Sequence, residues 1–282
     1  MLAADLLTEP PISIAPEVSI DDAVETMRCC RIRHLMVVKD DQLVGMVSDR
    51  DILLAKTEGG TKNGEADPGQ LTVSQIMTKS VSCISPETDM QQIAEIMLAK
   101  GISALPVMAN EDLYGVVTKT DLLVWYMDLC IRVPGHEYAA MKVRDCMPDE
   151  LITVQSDDMV GSAVEIMARA SVQHLPVIEN GRLRGMISDR DLRRRLGVTV
   201  RGGLLKAKAV PSEQEYMMVG TMMTSNPRTI NSEASVAAAV EAILAGGFSS
   251  LPVIRDDGGL VGIITVTDII RLIGELASVP VA

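Results

Sequence analysis

Four short phrases carry the side chains with the clearest chemical potential: Ser48-Asp-Arg-Asp51, Thr118-Lys-Thr-Asp121, Ser188-Asp-Arg-Asp191 and Thr265-Val-Thr-Asp268. In each, a hydroxyl precedes a carboxylate by three residues. A carboxylate can accept two hydrogen bonds from the cis-diol of a ribose. A Ser or Thr hydroxyl three residues earlier faces the same side, and backbone N–H groups at a helix start favour phosphate oxygens. The pattern suits a sugar plus a phosphate. The same Ser/Thr-x-x-Asp is also a capping pattern, with the hydroxyl at the helix start and the acid complementing the dipole in the first turn. Both readings are open at the level of the sequence.

The elements that must hold these residues recur with them. Each phrase follows a glycine, and Gly45, Gly115, Gly185 and Gly262 lie 70, 70 and 77 residues apart. A second landmark, His34-Leu-Met-Val, Ala104-Leu-Pro-Val, His174-Leu-Pro-Val and Ser250-Leu-Pro-Val, steps by 70, 70 and 76. Met27, Met97, Met167 and Ile243 keep those same steps. Three landmarks in one register mean a fourfold internal repeat. Within each copy an apolar strand start (Ile14, Ile84, Val154, Ile230) leads through a Pro/Ser/Asp/Glu-rich turn to a helix with apolar residues at helical spacing, as at Ile93, Ile96 and Met97. The helix is predicted to stop near Gly101 or Gly246-Gly247. Two β-rich runs follow, joined by polar turns such as Asn180-Gly181, and the second run meets the phrase that opens a last helix.

The expected unit is therefore β-α-β-β-α, with repeats at 1–58, 72–130, 142–198 and 217–278. Thr57 to Gln70 reads as a polar, Gly-rich linker, and Val198 to Glu215 takes that part before repeat four. A unit of about 60 residues is marginal alone. Pairing the units as 1–130 and 142–278 gives two domains, the number expected from a chain of 282 residues.

The recurring Gly-apolar-x-Ser/Thr-x-x-Asp phrase resembles that of the CBS domain (the cystathionine β-synthase repeat), and the likeness runs through nearly the whole chain as two tandem pairs, or Bateman modules. It implies an α/β (α+β) fold of four β-α-β-β-α repeats packed as two pseudo-twofold pairs. Clefts between paired repeats of this family bind adenosine-containing ligands, which makes AMP, ADP or ATP (with or without Mg) or S-adenosylmethionine the expected ligands, with no cofactor required. On that likeness Asp51, Asp121, Asp191 and Asp268, with Ser48, Thr118, Ser188 and Thr265, are the ribose candidates. The odd repeats hold the positive charge, so Arg33, His34, Arg50, His174 and Arg190 are the phosphate candidates. Each could equally be a surface charge or pair with Asp49 or Asp189. Ser13, Thr153 and Thr229, just before the first strand, are further contacts that the family implies, with Cys83 a weaker hydrogen-bonder at the same place. Met36 stands where the repeat usually has proline.

Composition narrows the function. With 26 Lys+Arg against 38 Asp+Glu the net charge is −12, which argues against an electrostatic grip on nucleic acid. Apolar residues are 47 % of the chain but only four Tyr, one Trp and one Phe are aromatic, so the cores are expected to be aliphatic, helped by 18 Met. No apolar run is long enough to span a bilayer and no basic n-region precedes one, so a cytoplasmic, membrane-free protein is expected. Five cysteines without C-x-x-C spacing read as reduced, mostly buried thiols, and His34, His136 and His174 are too few and too separated for a metal site. Arg190, Arg193, Arg194, Arg195 and Arg201, with Lys206 and Lys208, form a basic cluster that reads as a solvated helix face. No nucleophile–base constellation or P-loop is present, so no catalytic residue is expected. The expectation is a stand-alone regulatory protein, not an enzyme, that senses adenine nucleotides and signals to an unknown protein or to a homodimer. Its alternative is a scaffold whose clefts are vestigial. A nucleotide hydrolase and a cysteine-based redox sensor rank below both.

Overall fold

Each repeat's first helix ends where a residue turns left-handed. That residue is Gly101 or Gly247 in the even repeats and, at the same register, Arg31 or Ser171 in the odd ones. The hairpins turn likewise on paired positive-φ residues, Asp40-Asp41, Asn110-Glu111 and Asn180-Gly181, the geometry that matches strand twist.

The computed structural model describes residues 1–57, 71–133, 137–196, 200–201, 204–205 and 216–277. The first linker from residue 58, most of the second, His136, Lys206 and Lys208 lie outside these residues. A one-turn 3-10 helix, Ala3–Asp5, opens repeat one, which continues with β1 (Ser13–Ile14), α1 (Ile20–Cys30), β2 (His34–Lys39), β3 (Gln42–Ser48) and α2 (Asp49–Thr57). Repeat two has α3 (Val73–Ile76), α4 (Met90–Lys100), β4 (Ala104–Ala109), β5 (Asp112–Thr118) and α5 (Lys119–Arg132), followed by α6 (Glu137–Ala140). Repeat three has α7 (Val143–Cys146), β6 (Val154–Gln155), α8 (Val160–Ala170), β7 (His174–Glu179), β8 (Arg182–Ser188) and α9 (Asp189–Leu196). The pair β9 (Val200–Arg201) and β10 (Leu204–Leu205) comes next. Repeat four has α10 (Val219–Met222), β11 (Thr224–Ser225), β12 (Ile230–Asn231), α11 (Val236–Gly246), β13 (Ser250–Ile254), β14 (Leu260–Thr265) and α12 (Val266–Ala277).

The expected β-α-β-β-α order is present, and the class is α/β. In repeats one, three and four the first strand runs parallel to the second and the third returns antiparallel. Repeat two reduces its first strand to a single bridge, Ile84 to Val107. By packing, the chain divides into residues 1–89 with 102–118, and residues 90–101 with 119–282. The division runs through repeat two, whose α3 and strands belong to the first unit and whose α4 and α5 belong to the second.

Within each unit, two repeats exchange their leading segments. Leu7 and Thr8 lie against Gly115 of repeat two, while Met77 and Thr78 lie against Gly45 of repeat one. Backbone pairs reinforce both contacts: Thr8 with Val116, and Met46 with Thr78. In the second unit Met223 meets Gly185 of repeat three, and Met147 meets Gly262 of repeat four. There β11 pairs with β8, Thr224 opposite Met186. The four landmark glycines are thus the places where a foreign segment crosses a strand. A Cβ on Gly115 would sit 2.8 Å from the Thr8 carbonyl oxygen and 2.7 Å from Leu7 Cδ1. The carbonyl belongs to paired backbone and cannot swing away, so Gly115→Ala should destabilise the protein by about 1–3 kcal/mol through overpacking. Thermal unfolding measures it, and an unchanged Tm would refute the close-crossing account.

The cores are aliphatic as expected. Repeat one packs Ile20, Ala23, Met27, Leu35, Val37, Val47 and Ile52 around Leu71 and Val73 from the exchanged segment. Repeat three packs Val160, Val164, Met167, Leu175, Val177 and Ile187 around Val219 and Met222 in the same way. Tyr126 on α5 is fully buried, and its hydroxyl donates to the Tyr138 carbonyl at 2.8 Å.

Candidate functional site

The hydroxyl and carboxylate of each phrase meet at the junction between third strand and last helix. In repeat one Ser48 ends β3, and its Oγ donates to Asp51 Oδ2 at 2.6 Å. The Ser48 N–H donates to the same oxygen at 2.9 Å, while the Asp51 N–H returns a bond to Ser48 Oγ at 3.3 Å. Ser188 with Asp191 and Thr265 with Asp268 repeat this triangle with the same distances. It is a reciprocal cap that leaves one carboxylate oxygen, Oδ1, for other work. In repeat two Thr118 ends β5 and Asp121 lies in the first turn of α5, both half-buried.

Oδ1 distinguishes the repeats. Asp51 and Asp191 are half-buried, and among the described residues nothing bonds their Oδ1. Asp268 is 5 % exposed, and its Oδ1 accepts from Arg271 Nη1 at 3.1 Å. The Cys146 thiol lies 3.8 Å from the Asp268 carbonyl oxygen on the neighbouring backbone.

The β2–β3 pairing brings the phosphate candidates to the same place. His34 is the cross-strand partner of Ser48, and His174 that of Ser188. The Asp49 N–H donates to the Arg33 carbonyl at 3.0 Å, which ties Arg33 to the start of α2. Arg33 and Arg190 are exposed and Arg50 is half-buried. Ser13 lies opposite Met36, two residues along β2 from His34, and is exposed as Cys83 is. Thr153 and Thr229 stand half-buried just before β6 and β12. The structure therefore gathers Arg33, His34, Ser48 and Asp51 in the first unit, and His174, Ser188 and Asp191 in the second.

Two residues join these groups that sequence reasoning passed over. His34 Nε2 lies 3.0 Å from Ser103 Oγ, and His174 Nε2 lies 2.8 Å from Ser249 Oγ. Each serine comes from the even repeat of its pair, immediately before the Ala104 or Ser250 that opens its Leu-Pro-Val strand. The signal was their identical register, one residue ahead of the landmark in both even repeats. Burial lowers the His34 pKa, against the opposing pull of Asp49 and Asp51. A histidine harder to protonate when folded than when unfolded contributes stability that is complete above the unfolded value of 6.5 and is lost as pH falls below it. Wild type should therefore lose more stability than His34→Gln between pH 7 and 5, by up to ~1 kcal/mol per pH unit. Parallel slopes in urea titrations at the two pH values would contradict this.

Two readings of the sequence need correction. Arg193 is not part of a solvated face: it is 2 % exposed, paired with the equally buried Asp189 carboxylate, and its Nε donates to the Asp189 carbonyl at 3.3 Å. Arg195 donates to the Thr221 carbonyl, and Arg190, Arg194 and Arg195 are exposed. The cysteines are not mostly buried: Cys29, Cys30 and Cys83 are exposed, Cys130 and Cys146 half-buried. Burial pushes Cys130 up and Cys146 up to about 12, while the Glu25 carboxylate raises Cys29 by accepting a hydrogen bond from its thiol. Such thiols stay protonated and poorly nucleophilic at neutral pH. Among the described residues no group of three or more His, Cys, Asp or Glu could hold a metal ion, and no helix is long and apolar enough to cross a membrane.

Comparison with known proteins agrees with this architecture. Protein MJ1225 of Methanocaldococcus jannaschii is 25 % identical over 195 residues, 67 % of this chain and 67 % of its own length. Its crystal structure, described as that of a proposed archaeal homolog of g-AMPK, superposes with a TM-score of 0.70 at 20 % identity, covering 96 % of this chain and 99 % of the other. A conserved protein from Pyrococcus horikoshii superposes with a TM-score of 0.61 at 17 % identity over 97 % and 100 % of the two chains. The inosine-5'-monophosphate dehydrogenase of Korarchaeum cryptofilum is 32 % identical over 115 residues, which is 40 % of this chain but 22 % of that enzyme. The CBS domain family model matches residues 3–58, 73–128, 143–198 and 219–275. With the pattern matched in all four repeats, the chain belongs to the CBS domain family.

Proposed function

We propose that this protein is a regulator that binds adenosine-containing ligands in the clefts between paired repeats and passes their occupancy to a partner protein or to its own homodimer. The observation that carries the reading is the open Oδ1 of Asp51 and of Asp191. Each carboxylate is held by its cap, with one oxygen left for a ribose diol, beside a histidine and near arginines suited to phosphate. AMP, ADP and ATP fit a diol next to positive charge; S-adenosylmethionine fits the diol alone. The scarcity of aromatic residues leaves apolar side chains and backbone to hold the purine. The repeats act in pairs, 1–130 and 142–278, an organisation that the exchanged leading segments support. A ligand touching both members of a pair favours one packing over another, and only this difference in affinity moves a partner. The reading assigns no metal, no catalytic residue and no nucleic-acid contact, and places the protein in the cytoplasm.

A second reading is favoured by the same triangle. Every bond within Ser48 and Asp51 is explained by capping alone, as in a scaffold with vestigial clefts. Titration with AMP, ATP and S-adenosylmethionine, together with native mass spectrometry of freshly purified protein, separates the two. Bound adenosine ligand supports the regulator, and an empty protein that none of the three shifts in Tm supports the scaffold.

A further inference from the structure

The four phrases look equivalent in sequence, yet repeat four has filled its own acceptor. We infer that Arg271 closes the fourth repeat's ribose site, so that Asp268 takes no nucleotide while Asp51 and Asp191 do; this rests on the ligand reading above.

A cis-diol needs two acceptor positions on one carboxylate. Asp268 Oδ2 is committed to the Thr265 hydroxyl at 2.6 Å and the Thr265 N–H at 2.9 Å. Its Oδ1 is committed to Arg271 Nη1, one helical turn further along α12. The carboxylate side chain is 6 % exposed, against 55 % for the arginine, so the guanidinium covers it from the solvent side. A diol arriving from solvent meets a cation where it needs an acceptor.

The other repeats show that this is particular to repeat four. The position three residues after the aspartate holds Leu54 in repeat one and Val124 in repeat two, whose side chains carry no donor. Repeat three has Arg194 there. Its side chain is exposed, and among the described residues it makes no bond to Asp191. An arginine at this position is therefore not enough; at Arg271 it is engaged.

The test counts bound nucleotide by equilibrium dialysis with radiolabelled AMP. Arg271→Ala removes an exposed side chain and should raise the count by one AMP per chain. Asp268→Asn should leave the wild-type count unchanged but abolish the gain in the Arg271→Ala background. Arg194→Ala, the matched control, should leave the count as it is. A wild-type count that falls on Asp268→Asn, a count unmoved by Arg271→Ala, or an equal gain from Arg194→Ala overturns the inference while leaving nucleotide binding intact. A wild-type chain that binds no AMP, ATP or S-adenosylmethionine removes the ligand reading itself, and the closure falls with it.

Discussion

Replacing Asp51 and Asp191 together by alanine is expected to weaken AMP binding at least ~100-fold, because each substitution removes the acceptor of two charge-assisted hydrogen bonds worth about 1.5–3 kcal/mol apiece. Each single variant should remove its own site and leave the other. The carboxylates also cap α2 and α9, so alanine should cost stability of about 1 kcal/mol per cap. Asparagine separates the two roles. Asp51→Asn keeps a carbonyl oxygen for the Ser48 N–H and hydroxyl but loses the charge and one acceptor. Its Tm should stay near that of wild type while its affinity falls at least ~10-fold. Calorimetric titration of the three variants reads both effects. Alanine variants that bind AMP as well as wild type would reduce both aspartates to caps and favour the scaffold.

The second large effect concerns folding. Asp189 and Arg193 are each 2 % exposed and paired one turn apart on α9. Removing one member deprives the other buried charge of this ion pair, a loss of about 3–5 kcal/mol. Asp189→Ala and Arg193→Met should each unfold at much lower urea concentration than wild type. Replacing both by apolar residues of similar volume should recover most of that loss, since the desolvation of two charges disappears with them. A double-mutant cycle with no coupling between the sites would show that this pair is not what holds α9 in place.

Much of this was legible from residue spacing. Ser48 and Asp51 are neighbours in the chain, so their cap needs only local geometry, and the hairpin that sets His34 opposite Ser48 follows from turn residues between two apolar runs. What escaped depends on partners distant in sequence. Val73–Ile76 is a single turn with no periodicity to detect, and its meaning comes from the strand that Met77 crosses. Ser103 reads as a turn serine until His34, on the other repeat, gives it a partner. Arg193 sits among three consecutive arginines, and only the packing of α9 tells which of them is inward. Arg271 and Arg194 share a register, but one meets its aspartate and the other does not, a difference that no local pattern records. Ile84 reads as a strand start like Ile14, yet it forms one bridge where β1 forms two pairings.

The exchanged leading segments set an order for assembly during synthesis. Met77 finds Gly45 and Met223 finds Gly185 within the preceding ~40 residues, soon after each has left the ribosome. Leu7 and Met147 wait for Gly115 and Gly262, about 110 residues later, which at ~5–20 residues per second is on the order of ten seconds. In the later part of that interval the first member of each pair has its own groove filled while its apolar leading segment stays exposed. Each pair therefore closes like a clasp whose first half must be held until the second is made. A nascent chain halted between the halves is where chaperone capture or mispairing between neighbouring polysomal chains should concentrate.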